Sequence, residues 1–436
     1  MGITIIRKSN PKTRKLNPKV ALVLAGGAVT GGAFKLGGLN ALDDLLVNRK
    51  VVDFDIHIGL SAGAFLAAPI ASGITPAEML DSLDGEGELG HFRVSDVYAP
   101  NLEEMVSRPL EFVADLVSFF PLAVGDFLAK SPETVANLRE PALACLKEPS
   151  LANLGTVAST LVAALQTRRS FPILLDYLPS GLFDNSRLER FIRSGFKARG
   201  LTNNFRTLYQ RRGKELYIVA MNLDTAERVV FGHDEDSALT ISEAVQASTA
   251  LPGFYKPARI KGVDYIDGGV RRTANIDVAL EHGADLVVCY NPFRPFNNQV
   301  VPGRRRRGEE GTPLAEHGML VVLNQVFRSM LHSRLHLALN QYRDNPDFTG
   351  DIILIEPGDT DDTFFQMFPM NFWARRRAAA HGYLSVTASI DAHYETIRSI
   401  LEHHGIAIQR QKVRESAERI QDERRDDEPL VGAGGL

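Results

Sequence analysis

The pentapeptide GLSAG, residues 59–63, could hold a nucleophilic serine at a sharp turn. It follows the apolar segment FDIHI and precedes the small-residue segment AFLAAPIA. A turn of this kind strains the backbone of the serine, and side chains at Gly59 and Gly63 would collide with it. A strand before the turn and a helix after it are the context that this geometry requires. We therefore take Ser61 as the candidate nucleophile.

A nucleophilic serine also needs hydrogen-bond donors for the oxyanion that forms during acyl transfer. The loop GGAVTGG follows the apolar run VALVLA, and its first backbone N–H groups belong to Gly26, Gly27 and Ala28. Without bulky side chains this backbone can approach a reacting carbonyl closely. A tight strand-to-helix turn or a phosphate cradle are the other interpretations, although neither GxGxxG nor GxxxxGK[ST] is present. The loop is the candidate oxyanion hole.

The base that activates the serine is either a histidine or a carboxylate. His57 lies inside a predicted strand and most other histidines lie in helical or charged segments, where structural roles prevail. The segment YIDGGV instead delivers Asp267 to a strand end, and Gly268 and Gly269 let the chain turn beside it. A carboxylate in a dry site can serve as the general base. A Ser-His-Asp triad of the α/β-hydrolase kind is disfavoured, because no histidine follows a strand near the C-terminal end.

The order of segments predicts the scaffold around these residues. Strand, glycine loop, helix, strand, sharp turn and helix succeed one another over residues 20–84, which is typical of a parallel sheet covered by helices on both faces. Residues 85–179 show helical spacing and no evident strand, which predicts a helical insertion that serves as a lid or membrane-seating region. Strand patterns resume over residues 180–300, and residues 301–407 predict helices and a strand packed on the core. We expect an α/β fold with a mainly parallel central sheet.

The two ends of the chain differ from this pattern. Residues 1–19 hold six Lys or Arg and no acid, and predict a basic flexible arm. Residues 408–436 are charged and then glycine-rich, and predict a frayed tail. Inside the chain, capping boxes at Thr75 and Thr240 predict two helix starts.

Composition excludes several classes of protein. The net charge of −4 gives no general attraction to nucleic acid. Cys145 and Cys289 are far apart and lack metal-type spacing, so we expect neither a disulfide nor a metal site. The N-terminal segment lacks the apolar core of a signal peptide. Residues 56–77 carry no Asp, Glu, Lys or Arg, but Gly59, Gly63, Pro69 and Gly73 interrupt them and disfavour a membrane span. We expect a cytoplasmic protein.

The combination of motifs resembles one known family. GGAVTGG, GLSAG, ASTALPGFYKP and DGG occur in the order found in the patatin-like phospholipase family of lipid acyl hydrolases. The resemblance runs from about Val20 to Tyr290 and covers the helical insertion poorly. It implies a three-layer α/β/α fold, glycerolipid esters, usually phospholipids, as substrates, and no metal or organic cofactor.

The same resemblance implies the roles of the candidate residues. Ser61 would be the nucleophile and Asp267 the general base and later acid, in a dyad without histidine. Gly26, Gly27 and Ala28 would form the oxyanion hole. The reaction would pass through an acyl-enzyme that water resolves.

Two departures from the family pattern keep an alternative open. The family loop has three glycines, one residue, a basic residue and a glycine, whereas here Ala28 is third and no Arg or Lys precedes GAF. After DGG the family commonly has Asn-X-Pro, whereas Asn275 is followed by Ile276 and Asp277. Neither change removes a catalytic side chain. The alternative function is a silent member that binds lipid surfaces or a protein partner.

A lipid hydrolase that acts on aggregates also needs a surface that contacts them. The insertion carries an apolar segment with the phenylalanines Phe112, Phe119, Phe120 and Phe127. These side chains either seat the protein on a membrane or pack the insertion onto the core. The basic arm and the RRRR segment, residues 304–307, either meet anionic head groups or are solvated loops. We therefore expect peripheral contact with a membrane or lipid aggregate, and the sequence leaves a homo-oligomer open.

Overall fold

The computed structural model describes residues 2–10, 13–84, 92–129, 139–144, 146–148, 150, 153, 156, 174–300, 302–303 and 311–427. Its strands are β1 (Ile3–Ile6), β2 (Val20–Leu24), β3 (Ile56–Leu60), β4 (Gly181–Phe183), β5 (Glu215–Asn222), β6 (Arg228–Phe231), β7 (Gly253–Tyr255), β8 (Ala258–Ile260), β9 (Val263–Asp267), β10 (Leu286–Tyr290) and β11 (Asp351–Ile355). Its α-helices are α1 (Ala28–Leu45), α2 (Ala62–Ala71), α3 (Pro76–Asp84), α4 (Val94–Val97), α5 (Leu102–Ala129), α6 (Ser186–Ala198), α7 (Phe205–Arg212), α8 (Ile241–Thr249), α9 (Ile276–Glu281), α10 (Met319–Asp344), α11 (Asp362–Phe365), α12 (Arg375–Ala392), α13 (Tyr394–His403) and α14 (Gln411–Asp427).

A mainly parallel sheet forms the centre of the fold. Strands β11, β10, β2, β3 and β5 are neighbours in that order, and every pair among them is parallel. Strand β1 pairs antiparallel with β11, and β6, β8 and β9 extend the other side in antiparallel pairs. All residues of β2, β3, β10 and β11 are buried, as expected for a parallel sheet covered on both faces. The predicted α/β fold is confirmed.

Helices cover both faces of this sheet. Leu22 and Leu24 of β2 pack in one core with residues of α1, α2 and α12. Ala21 and Val23, which point to the opposite face, pack in a second core with residues of α9 and α10. The alternation along β2 therefore divides the part of the chain outside Pro100–Leu182 into three layers.

The described parts of both terminal segments are more ordered than the sequence suggested. Ile3–Ile6 forms an edge strand, because its β-branched residues pair with β11, and the preceding expectation of a flexible arm is wrong for these residues. Residues 411–427 form helix α14, and its residues Val413 and Ala417 are buried, so the described part of the tail is not frayed. The predicted capping boxes at Thr75 and Thr240 are present.

Residues Pro100–Leu182 form a compact unit distinct from the rest of the chain. Within it, α5 is a helix of 28 residues, and the ring of Phe112 lies 5.3 Å from that of Tyr177. The side chains of Phe119, Phe120 and Phe127, the RRRR segment and residues 428–436 lie outside what the structure describes. Across the described residues, no helix is both long and apolar enough to span a bilayer.

Candidate active site

Ser61 lies at the turn between β3 and α2. Its backbone has φ 55° and ψ −125°, a left-handed conformation that is rare for a residue with a side chain. A Cβ atom at Gly63 would lie 2.0 Å from the carbonyl oxygen of Leu24, and one at Gly59 would lie 2.4 Å from the Cα atom of Ala64. Both glycines are therefore required by the space around the turn.

A buried serine that the sequence analysis did not single out holds this turn in place. The N–H group of Ser61 donates to Oγ of Ser248 at 2.8 Å, and that hydroxyl donates to the carbonyl of Val219 at 2.6 Å. Ser248 lies near the end of α8, and Val219 lies in β5. The hydrogen bonds thus tie the turn to the neighbouring strand.

Asp267 is the last residue of β9, and the antiparallel pairing of β9 with β5 brings it to the serine. Its carboxylate accepts a hydrogen bond, 2.8 Å long, from the N–H group of Gly269, and the hydroxyl of Ser61 lies close enough to lower the pKa of this carboxyl group. Both side chains are buried, with residue exposures of 5% for Ser61 and 4% for Asp267. Burial raises the pKa of Asp267 to about 6, although the Ser61 hydroxyl, the N–H group of Gly269 and the charge of Lys35 lower it.

The glycine loop connects β2 to α1. Gly27 has φ 147° and Ala28 has φ 52°, so the chain turns sharply before the helix begins. No acceptor within the described residues pairs with the N–H groups of Gly26, Gly27 or Ala28. A Cβ atom at Gly26 would lie 3.4 Å from Cβ of Ser61, which shows how closely the loop approaches the serine. Unpaired N–H groups at the start of an 18-residue helix favour a negative charge there.

Lys35 is a buried cation beneath this loop that the sequence analysis missed. Its ammonium group donates to the carbonyl oxygens of Ala25 and Gly26, the second at 2.9 Å. In a trans peptide the C=O and N–H bonds point in opposite directions, so these contacts turn the N–H groups of Gly26 and Gly27 away from the lysine. Burial lowers the pKa of Lys35 to about 7, against the opposing effects of Cys289 and Asp267. The sequence did carry one sign of this role, because Lys35 is the one charged residue in the helical segment GAFKLGG.

An apolar cavity of about 120 Å³ opens beside Ser61. Its walls come from α1, α2, α3 and α6, together with residues after α8. Representative lining residues are Leu36, Phe65, Leu66, Phe191, Ile192 and Leu251. The cavity therefore offers a hydrocarbon-like environment next to the serine hydroxyl.

The described histidines are engaged elsewhere. His57 is fully buried in β3, and its Nε2 atom lies 2.9 Å from the carbonyl oxygen of Val51. His381 contacts Asp361, and His404 contacts Asp351. In the part of the chain that is described, no histidine hydrogen-bonds to Ser61 or Asp267. This arrangement gives no support to a Ser-His-Asp triad.

The chain is similar in sequence to known lipid hydrolases. Residues 22–280 match the family model described as patatin-like phospholipase. The probable lipid hydrolase 463L of Invertebrate iridescent virus 6 is 21% identical over 277 residues, which are 63% of this chain and 68% of that protein.

Solved structures also align with the chain. VipD from Legionella pneumophila aligns with a TM-score of 0.36 and 17% identity, over 90% of this chain and 70% of that one. Human GIVD cytosolic phospholipase A2 in complex with methyl γ-linolenyl fluorophosphonate aligns with a TM-score of 0.32 and 11% identity, over 89% of this chain. The chain spans 60% of the human protein, less than two thirds of its length.

Proposed function

The chain belongs to the patatin-like phospholipase family of lipid acyl hydrolases, and we propose that it cleaves fatty-acyl esters of glycerolipids, phospholipids first among them, through Ser61 and Asp267. The observation that carries this proposal is the placement of the two buried side chains close enough for Ser61 to affect the pKa of Asp267, at the edge of an apolar cavity. A hydrocarbon cavity beside a nucleophile suits a fatty-acyl chain.

In the proposed first step, the carboxylate of Asp267 takes the proton of the Ser61 hydroxyl as the serine oxygen attacks the ester carbonyl carbon. The negative charge on the carbonyl oxygen is stabilised by the N–H groups of Gly26, Gly27 and Ala28. Collapse of the intermediate breaks the ester bond, and protonated Asp267 gives its proton to the departing alcohol. The acyl group is then covalently attached to Ser61.

The second step releases the fatty acid. Asp267 takes a proton from a water molecule, the water oxygen attacks the acyl-enzyme, and the serine leaves with the proton returned to it. A pKa near 6 suits both roles, because the carboxylate accepts a proton at neutral pH and releases it readily.

Lys35 has a supporting role in this proposal. The family pattern has a basic residue within the glycine loop, and this chain lacks one there. The ammonium of Lys35 reaches the loop from inside helix α1 and binds its carbonyls from below. We regard it as a positioning residue that orients the oxyanion donors, since its hydrogen bonds go to the backbone.

Helix α10 is the proposed site of peripheral contact with lipid. Large apolar side chains on it are exposed, with exposures of 73% for Met319, 61% for Leu320, 59% for Phe327 and 53% for Met330. Apolar side chains of this size bind the interface of a lipid aggregate by burying their area in it. We propose that the protein works at the cytoplasmic surface of a membrane.

A lipid panel tests the proposed reaction. The full chain is incubated with vesicles of phosphatidylcholine or phosphatidylglycerol, with lysophospholipid micelles and with a triacylglycerol emulsion, and fatty-acid release is measured by mass spectrometry. We expect release from phospholipid by the wild type and none above background by Ser61→Ala. Release by Ser61→Ala at the wild-type rate, or no release from any ester by folded wild type, would contradict the proposal.

A further inference from the structure

A second cluster of reactive side chains lies outside the proposed dyad. His332 and His336 lie one turn apart on α10, and Glu356 follows directly after β11. Nε2 of His336 is 3.0 Å and Nε2 of His332 is 3.5 Å from Oε2 of Glu356. One potential ligand atom from each residue lies within 4.8 Å of the other two. The acyl-transfer steps use none of these groups.

The spacing of these atoms suits a transition-metal ion. Zinc binds imidazole nitrogen and carboxylate oxygen at about 2.0–2.2 Å, which separates tetrahedral ligand atoms by roughly 3.3 Å. The two observed separations, 3.0 and 3.5 Å, lie on either side of that value. Histidines at positions i and i+4 of a helix share one face, a spacing used by zinc-binding helices.

The carboxylate is oriented before any ion binds. Glu356 is 3% exposed, and its Oε1 atom accepts a hydrogen bond of 2.8 Å from the amide of fully buried Asn291. This contact turns Oε2 toward the histidines, as outer hydrogen-bond partners do for metal ligands. Glu356 therefore presents one carboxylate oxygen to the two histidines.

We propose that His332, His336 and Glu356 bind one divalent ion of the zinc class, with water completing the coordination. The side chains of the two histidines are 23% and 30% exposed, so the ion and its water can enter from solvent. Two imidazoles and one carboxylate favour zinc or a neighbouring first-row ion over magnesium or calcium, which prefer oxygen ligands alone.

The ion would support the wall behind the proposed oxyanion hole. Asn291, which holds Glu356, precedes Pro292 and Phe293, and these two side chains lie against Gly27 and Gly26. One turn before His332, Arg328 donates to the carbonyl of Pro292 at 3.2 Å. Linking α10 to the end of β11 would therefore stiffen this wall, which is a positioning role and not a chemical step.

Metal titration of the full chain tests the proposal. After treatment with EDTA and its removal, Zn²⁺ binding is measured by calorimetry, and Co²⁺ is added as a spectroscopic probe. We expect one Zn²⁺ per chain, visible d–d bands with Co²⁺, and a higher Tm with Zn²⁺ but not with Mg²⁺ or Ca²⁺.

Three variants and a control decide between this site and scattered surface binding. His332→Ala, His336→Ala and the isosteric Glu356→Gln should each weaken Zn²⁺ binding by more than the roughly 10- to 100-fold that loss of an outer hydrogen-bond partner causes. His317→Ala, at a partly exposed histidine outside the cluster, should leave binding unchanged. Circular dichroism without metal checks the fold, and Glu356→Gln keeps the test valid if a histidine variant does not fold. Unchanged binding in the folded variants, or no binding by wild type, would overturn the proposal.

Discussion

Asp267 sets the pH at which the proposed reaction can run. Burial raises its pKa to about 6, so this carboxylate is protonated at pH values where an ordinary aspartate is ionised. Protonated Asp267 cannot take the proton of Ser61. We therefore expect kcat/KM to fall tenfold per pH unit below about pH 6, measured on a soluble ester substrate in a series of buffers. A constant rate down to pH 4.5 in folded protein would be inconsistent with Asp267 as the base.

Lys35→Met tests the positioning role of the buried ammonium. The methionine fills similar space but donates no hydrogen bond to Ala25 or Gly26, so the proposed oxyanion donors lose their fixed orientation. We expect kcat to fall by up to about 100-fold, the lower end of the effect of losing one oxyanion donor. The acid limb of the pH profile should also move to higher pH, because the charge of Lys35 lowers the pKa of Asp267.

The exposed Lys197→Met on α6 is the matched control for this substitution. A merely structural role for Lys35 would lower Tm and leave the pH profile of the folded fraction where it was. Movement of the acid limb to higher pH therefore separates the two roles. If kcat and the acid limb of the pH profile were both unchanged in Lys35→Met, Lys35 would have no role in the mechanism.

At the scale of elements, the serine turn depends on contact between β2 and α2. A methyl group at Gly63 would lie 2.0 Å from the backbone of Leu24, and backbone cannot move aside as a side chain can. Gly63→Ala should lower the free energy of unfolding by about 1–3 kcal/mol or more, as overpacking does. Gly358→Ala is the control, since among the described residues its Cβ would meet a single atom within 4 Å, Cβ of Asp361 at 3.9 Å. Denaturant unfolding measures both, and equal stabilities would contradict the crowding at Gly63.

Helix α10 offers a second prediction at this scale. The double substitution Leu323→Glu and Phe327→Glu places two charges on its exposed apolar face, where charge opposes entry into lipid. We expect the double variant to float less with phosphatidylcholine and phosphatidylglycerol vesicles than wild type does. Its rate of vesicle hydrolysis should fall below the wild-type rate, while its rate on a soluble ester should stay the same. Gln341→Glu, on an exposed position of the same helix, is the control. If the double variant floats as well as wild type but changes from dimer to monomer, this face is an interface between copies of the chain.

The elements that sequence predicted well are those with a strong local signature. The parallel strands β2 and β5 are continuous apolar runs, and the turn at Ser61 carries its two required glycines. Strand β1 and helix α14 were missed because their charged neighbours dominated the sequence pattern. Their stability comes from pairing with β11 and from burial of Val413 and Ala417, which are tertiary effects.

Side chains that meet only in the folded chain were also beyond prediction. Lys35 reaches carbonyls of a loop nine and ten residues before it, and no motif describes that contact. The histidine spacing HSRLH was visible, but its carboxylate partner Glu356 is 20 residues from His336. By contrast, Ser61 and Asp267 could be singled out from the sequence because each stands beside glycines at a strand end.

At the scale of the whole molecule, Asp351 joins distant parts of the chain at one buried point. Its carboxylate accepts from the N–H groups of Lys8 and Ser9 at 2.8 and 3.0 Å and contacts Nε2 of His404 at 2.9 Å. Burial opposes its ionisation, but these hydrogen bonds outweigh burial and lower its pKa from 3.8 to about 2. This one carboxylate thus adds hydrogen bonds that tie the segment after β1 and the C-terminal His404 to β11.

Because of this carboxylate, the free energy of unfolding is expected to fall as the pH is lowered. Because the pKa of Asp351 is lower in the folded than in the unfolded chain, its contribution of about 2 kcal/mol is present above about pH 4 and is lost toward pH 2. Asp351→Asn should therefore be less stable than wild type at pH 6, with a gap that narrows as the pH falls to 3. Exposed Asp347→Asn serves as the control. A gap independent of pH would contradict the assignment.

The most direct test of the account is labelling with a fluorophosphonate, which forms a stable bond with an activated serine. The labelled peptide is identified by mass spectrometry, and the labelling rate is compared among wild type, Ser61→Ala and Asp267→Asn. We expect one adduct on Ser61, none on Ser61→Ala, and labelling of Asp267→Asn slowed by about 10³-fold or more. An unlabelled Ser61 in folded protein that releases fatty acid, or wild-type labelling of Asp267→Asn, would contradict the Ser61 and Asp267 dyad.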